Sequence, residues 1–218
     1  MISEISKLLE ETRQYTKEHS ELQLAHHFLF ALFDAKLIQK SGDTRYLIMG
    51  INPGEHSQDW ECAPCPPVHE ESFEIDFHEQ YRNGRDAVKW TRTIENFCDT
   101  KKYMQSEMFF WSSNNVNELE QRYGPVLNNK HLAFCNRLNR ELINLTSPDA
   151  IIVPGIGSSK IMSANYDLTF VETVKDPENE HKLCERYTDE NRTWLFTKHW
   201  SGAFGFSKNQ VVSDKPCK

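Results

Sequence analysis

Three polar side chains stand directly after short apolar runs of the sequence: Asn52, Asn114 and His199. The amide oxygen of an asparagine can orient a water molecule, and an imidazole can donate a hydrogen bond to an anion that develops in a transition state. The amide of Asn114 both donates and accepts, which suits it to reading the edge of a base. Ser113 and Asn115 remain alternatives to Asn114, because the end of that run is placed only to within about two residues.

Four apolar runs predict the strands that must position these side chains: 46–51, 108–111, 150–155 and 194–197. Enough chain for a helix separates each run from the next, which is typical of a parallel sheet with helices on both faces. In such sheets ligands bind outside the carboxyl ends of the strands. The sequence therefore predicts a single domain over 1–218, a three-layer α/β/α fold with a central four-stranded parallel sheet.

Helical spacing of apolar residues predicts helices over 3–18, 22–39, 86–98 and 130–145. The first two form an N-terminal helical part, 1–40, and the second is apolar enough to be largely buried. A long polar loop over 55–85 separates the first strand from the next helix. Between Glu55 and Tyr81 there are eight acidic residues and no Lys or Arg. This composition makes the loop the most unusual segment of the chain.

The charge balance argues against a simple nucleic-acid binder. Lys and Arg number 25 and Asp and Glu number 32, for a net charge of −7, whereas nucleic-acid binders usually carry a basic face. The charge is polarised, however. The eight acidic residues between Glu55 and Tyr81 alone exceed the whole net charge, and from Lys198 to the end four lysines oppose only Asp214.

Composition excludes two further classes of protein. With 38% hydrophobic and 11% aromatic residues, the chain has ample core material and is not predominantly disordered. No apolar stretch reaches the roughly 20 residues that a membrane span requires, and the polar start of the chain has no signal-peptide pattern. Six cysteines in a chain of this size do not form a disulfide scaffold, which favours a reducing, cytoplasmic setting.

The strand-end motifs resemble those of the uracil-DNA glycosylase superfamily, nearest to its mismatch-specific and single-strand-selective branches. Gly50-Ile51-Asn52-Pro53-Gly54 resembles the first motif of the mismatch-specific branch, and His199-Trp200-Ser201-Gly202 resembles the second motif, usually His-Pro-Ser. Asn114 falls where the family places a base-reading asparagine, and Gly155 after the third strand matches another recurrent pattern. The resemblance extends over roughly 44–218, with Trp200 as a departure from the family's proline, which identifies a divergent member.

The resemblance implies a monofunctional DNA glycosylase that flips out a base, hydrolyses its N-glycosidic bond and leaves an abasic site. Asn52 would orient the water and His199 would stabilise the departing base. The implied base-binding residues are Gly50, Ile51, Pro53, Gly54, Phe73 and Asn114, and the implied DNA contacts are Ser201, Gly202, Phe204 and Lys208. No metal or cofactor is needed, and the expected partner of this monomer is DNA, with no membrane.

Two questions stay open at this level. The substrate is either a uracil-type lesion or a bulky modified cytosine, such as glucosylated hydroxymethylcytosine in phage DNA, which the acidic loop would recognise through hydrogen bonds to sugar hydroxyls. Repair and anti-phage defence therefore both fit. The alternatives to an enzyme are a non-catalytic nucleic-acid or nucleotide binder on the same fold, and a metal or redox module at Cys62 and Cys65.

Overall fold

The computed structural model describes residues 1–25, 28–54, 85–125, 129–176 and 180–200. Seven strands within these ranges form one sheet: β1 (Leu32–Phe33), β2 (Tyr46–Gly50), β3 (Tyr103–Glu107), β4 (Ala150–Pro154), β5 (Thr169–Lys175), β6 (Lys182–Thr188) and β7 (Thr193–Thr197). The α-helices are α1 (Ile2–Glu18), α2 (Arg85–Cys98), α3 (Val116–Tyr123), α4 (Lys130–Thr146) and α5 (Ser159–Tyr166).

The sheet has the order β1-β3-β2-β4-β7-β6-β5. Its central strands β3, β2, β4 and β7 are parallel, while β1 on one side and β6 and β5 on the other pair antiparallel. The predicted α/β class is confirmed, and the parallel core has the predicted four strands. The prediction of a four-stranded sheet was too narrow, because three antiparallel strands extend it.

Helices cover both faces of the parallel core. Alternate residues of β2 point to opposite faces, so Leu47 and Met49 join the core formed with α1, α4 and α5. Tyr46 and Ile48 instead pack with Ile94 of α2. These two apolar clusters make the molecule three layers thick over the described ranges, in the arrangement that a parallel sheet requires to bury both of its faces.

The second parallel strand lies earlier than predicted. The sequence indicated 108–111, but β3 ends at Glu107, and its polar residues Gln105 and Ser106 are buried. The apolar run 108–111 is also fully buried, and Phe28 forms an isolated antiparallel bridge with Trp111. An apolar run indicates burial and does not by itself indicate strand pairing. The prediction therefore placed the strand about one strand length too late in the sequence.

The predicted helix over 22–39 was wrong. Residues Leu22–Leu24 form a 3-10 turn, and Leu32–Phe33 form the short strand β1 against β3. Leu29 donates its backbone N–H to Phe110, 2.9 Å away, so the segment continues alongside the extension of β3. Its many apolar residues are explained by burial in an irregular segment, which periodicity alone does not distinguish from a buried helix.

Strands β5 and β6 were not predicted at all. Much of β5 is exposed, including Phe170 and Val171. Because this strand does not have one buried and one exposed face, its sequence lacks the alternation of apolar and polar residues that predicts a half-buried strand. The interpretation of Cys98, Cys135 and Cys184 as buried packing residues is confirmed. None of the helices in the described ranges has the length and apolar character needed to cross a membrane.

Candidate functional site

The strand order places a topological switch point at the carboxyl edge of the sheet, where a binding crevice is expected. From β2 the chain moves outward to β3, then reverses to β4 on the other side of β2. Where successive connections leave in opposite directions, the loops after the two strands diverge and a ligand can bind between them. The segments after β2 and β4, which begin at Ile51 and Gly155, therefore flank the position where a ligand is expected.

Backbone hydrogen bonds tie the segment after β2 to the segment after β3. Gly50 O accepts from Met108 N at 2.9 Å, Ile51 O accepts from Phe109 N at 2.8 Å, and Pro53 O accepts from Ser113 N at 3.2 Å. Pro53 is buried, whereas Gly50, Ile51 and Asn52 are half-buried and Gly54 is exposed. The segment 50–54 is thus fixed by backbone hydrogen bonds, and its polar side chain, Asn52, lies near the surface.

The amide of Asn52 has a fixed orientation. Its Nδ2 donates to Pro53 O at 2.8 Å, to Ser113 O at 3.1 Å and to Ser113 Oγ at 3.0 Å. Two of these acceptors are backbone carbonyls, which cannot donate, so the amide nitrogen and not the oxygen must face them. No described group donates to Oδ1, and this oxygen is the atom that Asn52 presents for a further hydrogen bond.

His199 follows β7 and lies beside the loop after β4. A side chain at Gly155 would place its Cβ 3.9 Å from Cδ2 of His199 and 3.7 Å from Oγ of Ser158. Gly155 also has φ +137°, a conformation that favours glycine. Because β4 alone separates β2 from β7, the strands that lead to Asn52 and His199 lie about 10 Å apart at the same edge.

The environment of Trp200 shows what a tryptophan does at the position where the second motif of the similar family usually has proline. Its side chain is buried, and its ring lies 4.8 Å from that of Phe97 on α2. It belongs to the apolar cluster on that face of the sheet, with Ile48 and Ile152 among its members. The indole therefore anchors the chain directly after His199, where a proline would stiffen the backbone instead.

Asn114 does not stand at a strand end. It lies seven residues beyond β3, and its exposed side chain donates from Nδ2 to Glu118 Oε2 at 2.7 Å. Its alternative Asn115 caps α3 by accepting from Glu118 N at 3.0 Å. Ser113 is buried and contacts Asn52. Of these three residues, Ser113 is the one that lies against Asn52, the residue predicted to orient a water molecule.

The structure reveals a polar group that the sequence prediction missed, the carboxyl of Glu107 at the end of β3. Glu107 pairs with Gly50 at the end of β2, and a Cβ on Gly50 would come within 3.0 Å of the Glu107 Cδ. Burial raises the pKa of Glu107 to about 8, although the Gly50 backbone amide acts in the opposite direction. The sequence signal that could have identified Glu107 is its position as a polar residue at the end of a strand. The prediction missed it because it placed this strand at 108–111, after Glu107.

Several predicted residues lie outside the described ranges: Phe73, Ser201, Gly202, Phe204, Lys208, Cys62, Cys65 and almost all of the acidic loop 55–85. Their predicted roles stay predictions. Within the described ranges, no group of three or more His, Cys, Asp or Glu residues is arranged to hold a metal ion.

Comparison with known proteins gives no further assignment. No protein-family model matches the chain, and no curated protein is significantly similar to it in sequence. Any function therefore has to be argued from the residues at the carboxyl edge of the sheet.

Proposed function

We propose that the protein is a monofunctional DNA glycosylase that hydrolyses the N-glycosidic bond of a damaged or modified pyrimidine. The observation that carries this proposal is the oriented amide of Asn52 after β2, at the carboxyl edge of the sheet. Among the described residues, the three hydrogen bonds of this side chain all use the nitrogen, which leaves the oxygen to accept from a water molecule. A water held in this way can attack the anomeric carbon of a deoxyribose.

His199 supplies the second part of the reaction. Glycosidic cleavage leaves negative charge on the departing base, and a donor aimed at that charge stabilises the transition state more than the ground state. His199 is exposed at the edge shared with Asn52 and is held between the glycine turn at Gly155 and the buried Trp200. These positions support a division of roles in which Asn52 serves the water and His199 serves the base.

The substrate class has two candidates. The resemblance in motifs favours a uracil-type lesion, and the acidic loop 55–85 favours a bulky, hydroxyl-bearing cytosine of phage DNA. Both share the pyrimidine ring and the bond that is broken, so the proposed mechanism is the same for both. The proposed roles are accordingly repair of the host genome or defence against foreign DNA.

The proposal is tested by measuring base release with Asn52→Ala and His199→Ala. We expect each variant to lose about 100-fold or more in single-turnover rate, in line with the loss of one oriented catalytic group. Asn191→Ala is the matched control, because Asn191 is exposed in the β6–β7 turn at the opposite edge of the sheet. If both site variants release base at the control rate, the proposed mechanism is wrong. Tight DNA binding without release by the wild type would instead identify a binding module.

A further inference from the structure

Glu107 is half-buried, and one oxygen of its carboxyl group is buried without a hydrogen bond in the described part of the chain. Its Oε2 is shielded from solvent and has no hydrogen-bond partner among the described residues. Leaving a polar atom buried and unpaired costs about 1–3 kcal/mol, and most buried polar groups of native proteins are paired. A chain that keeps such a group at the edge where ligands bind therefore has a use for it.

The surrounding backbone is built around this carboxyl. It lies directly over Gly50, where any side chain would collide with it. The end of β3 is fixed from the other face, because Asn139 Nδ2 donates to Glu107 O at 2.8 Å and Asn139 Oδ1 accepts from Ser106 at 2.8 Å. Glu107 thus has a fixed backbone, and its register partner Gly50 lies two residues before Asn52.

We infer that Glu107 reads the hydrogen-bonding edge of the flipped pyrimidine as a neutral acid, donating from its O–H and accepting at its C=O. This role rests on the proposed glycosylase activity. Cytosine offers an acceptor at N3 beside a donor at N4, and uracil offers a donor at N3 beside an acceptor at O4. A neutral carboxyl can make two hydrogen bonds to either edge, whereas an ionised carboxylate has no proton to donate.

The protonation state agrees with this role. Because the pKa of Glu107 is raised to about 8 by burial, the carboxyl carries its proton at neutral pH. Oε2 is covered in this structure, so its contact with a base requires the atoms that cover it to move aside.

The test compares Glu107→Gln and Glu107→Met on whichever substrate the wild type cleaves. Glutamine keeps one donor and one acceptor, so we expect its rate to stay within about threefold of wild type. Methionine removes both and should lose about 10- to 100-fold, the usual worth of a bidentate base contact. Both variants should melt close to the wild-type temperature, because glutamine can still accept from the Gly50 amide and methionine loses that hydrogen bond while it removes the unpaired Oε2.

A substrate methylated at N3 of the same base separates base reading from a structural role. The methyl group blocks the edge, so wild type should lose about 10- to 100-fold on it, while Glu107→Met should show little further loss. Equal losses from methylation in both proteins would refute the inferred contact. So would wild-type rates for Glu107→Met, or a loss in Glu107→Gln as large as in Glu107→Met. Absence of any base release by wild type would refute the glycosylase itself, and with it this role of Glu107.

Discussion

The orientation of the Asn52 amide follows from the acceptors around it rather than from the side chain's own preferences. Pro53 O and Ser113 O both require a donor, and only the nitrogen can supply one. The sequence predicted an amide oxygen that orients water; this role stays a prediction, and the described hydrogen bonds of the side chain use only its nitrogen. What the sequence could not show was the partner, because Ser113 lies 61 residues away along the chain.

This geometry predicts an unusual result for Asn52→Asp. A carboxylate is a better base than an amide, yet aspartate would place its oxygens against two carbonyls and lose all three donated hydrogen bonds. We expect base release to fall at least tenfold below wild type. Chemical denaturation should find Asn52→Asp less stable than Asn52→Ala by about 1 kcal/mol. Faster base release by Asn52→Asp than by wild type would contradict the assigned orientation.

Glu107 shows why one part of the site escaped prediction. Its position beside the motif 50–54 depends on the register of β3 against β2, where it stands opposite Gly50. Strand β3 contains buried polar residues and is followed by a more apolar run, so an apolar pattern favoured the wrong segment. Register between distant strands is a tertiary property, and a single sequence carries little information about it.

At the scale of elements, a buried histidine joins the N-terminal region to α4. His131 Nδ1 accepts from Tyr15 OH of α1 at 3.1 Å, and Nε2 donates to Glu21 Oε1 at 3.0 Å. Burial is the main cause that lowers the pKa of His131 to about 4, with the nearby Lys130 adding to it, while Glu21 acts in the opposite direction. The imidazole is therefore neutral at physiological pH.

The depressed pKa predicts a loss of stability in mild acid. Unfolded histidine takes up a proton near pH 6.5, whereas folded His131 does so only near pH 4. The contribution of His131 to the free energy of unfolding is therefore complete above pH 6.5 and is lost as the pH falls from about 6.5 to 4. From pH 7 to pH 5 we expect a decrease of about 2 kcal/mol from this group. Urea titrations of His131→Gln should show a correspondingly flatter profile. Parallel profiles of the two proteins would show that His131 does not cause the effect.

Elements with regular apolar patterns were the ones that the sequence predicted well. The helices at 3–18, 86–98 and 130–145 correspond to α1, α2 and α4, within one residue at each end. Strands β2, β4 and β7 are buried on both faces and were found from their apolar runs. Strands β5 and β6 were missed because the pairing of β6 with β7 and of β5 with β6 does not depend on an apolar sequence pattern.

At the scale of the whole molecule, the strand order explains how separate motifs come to the same edge of the sheet. The parallel strands occur along the sequence as β2, β3, β4 and β7, but they lie side by side as β3-β2-β4-β7. This order places the reversal between β2 and β4, next to both Asn52 and Gly155. The sequence predicted the layers, while the side-by-side order of the strands required the structure.

The central claim is that this carboxyl edge hydrolyses N-glycosidic bonds in DNA. It is tested most directly by mass spectrometry of free bases after incubation of the wild-type protein with a panel of DNAs. The panel contains uracil, uracil and thymine mismatches, hydroxymethylcytosine, and phage DNA with glucosylated cytosine. We predict release of one class of pyrimidine, which Asn52→Ala and His199→Ala reduce about 100-fold or more. No release from any DNA of the panel, by protein that is folded and binds DNA, would contradict the claim.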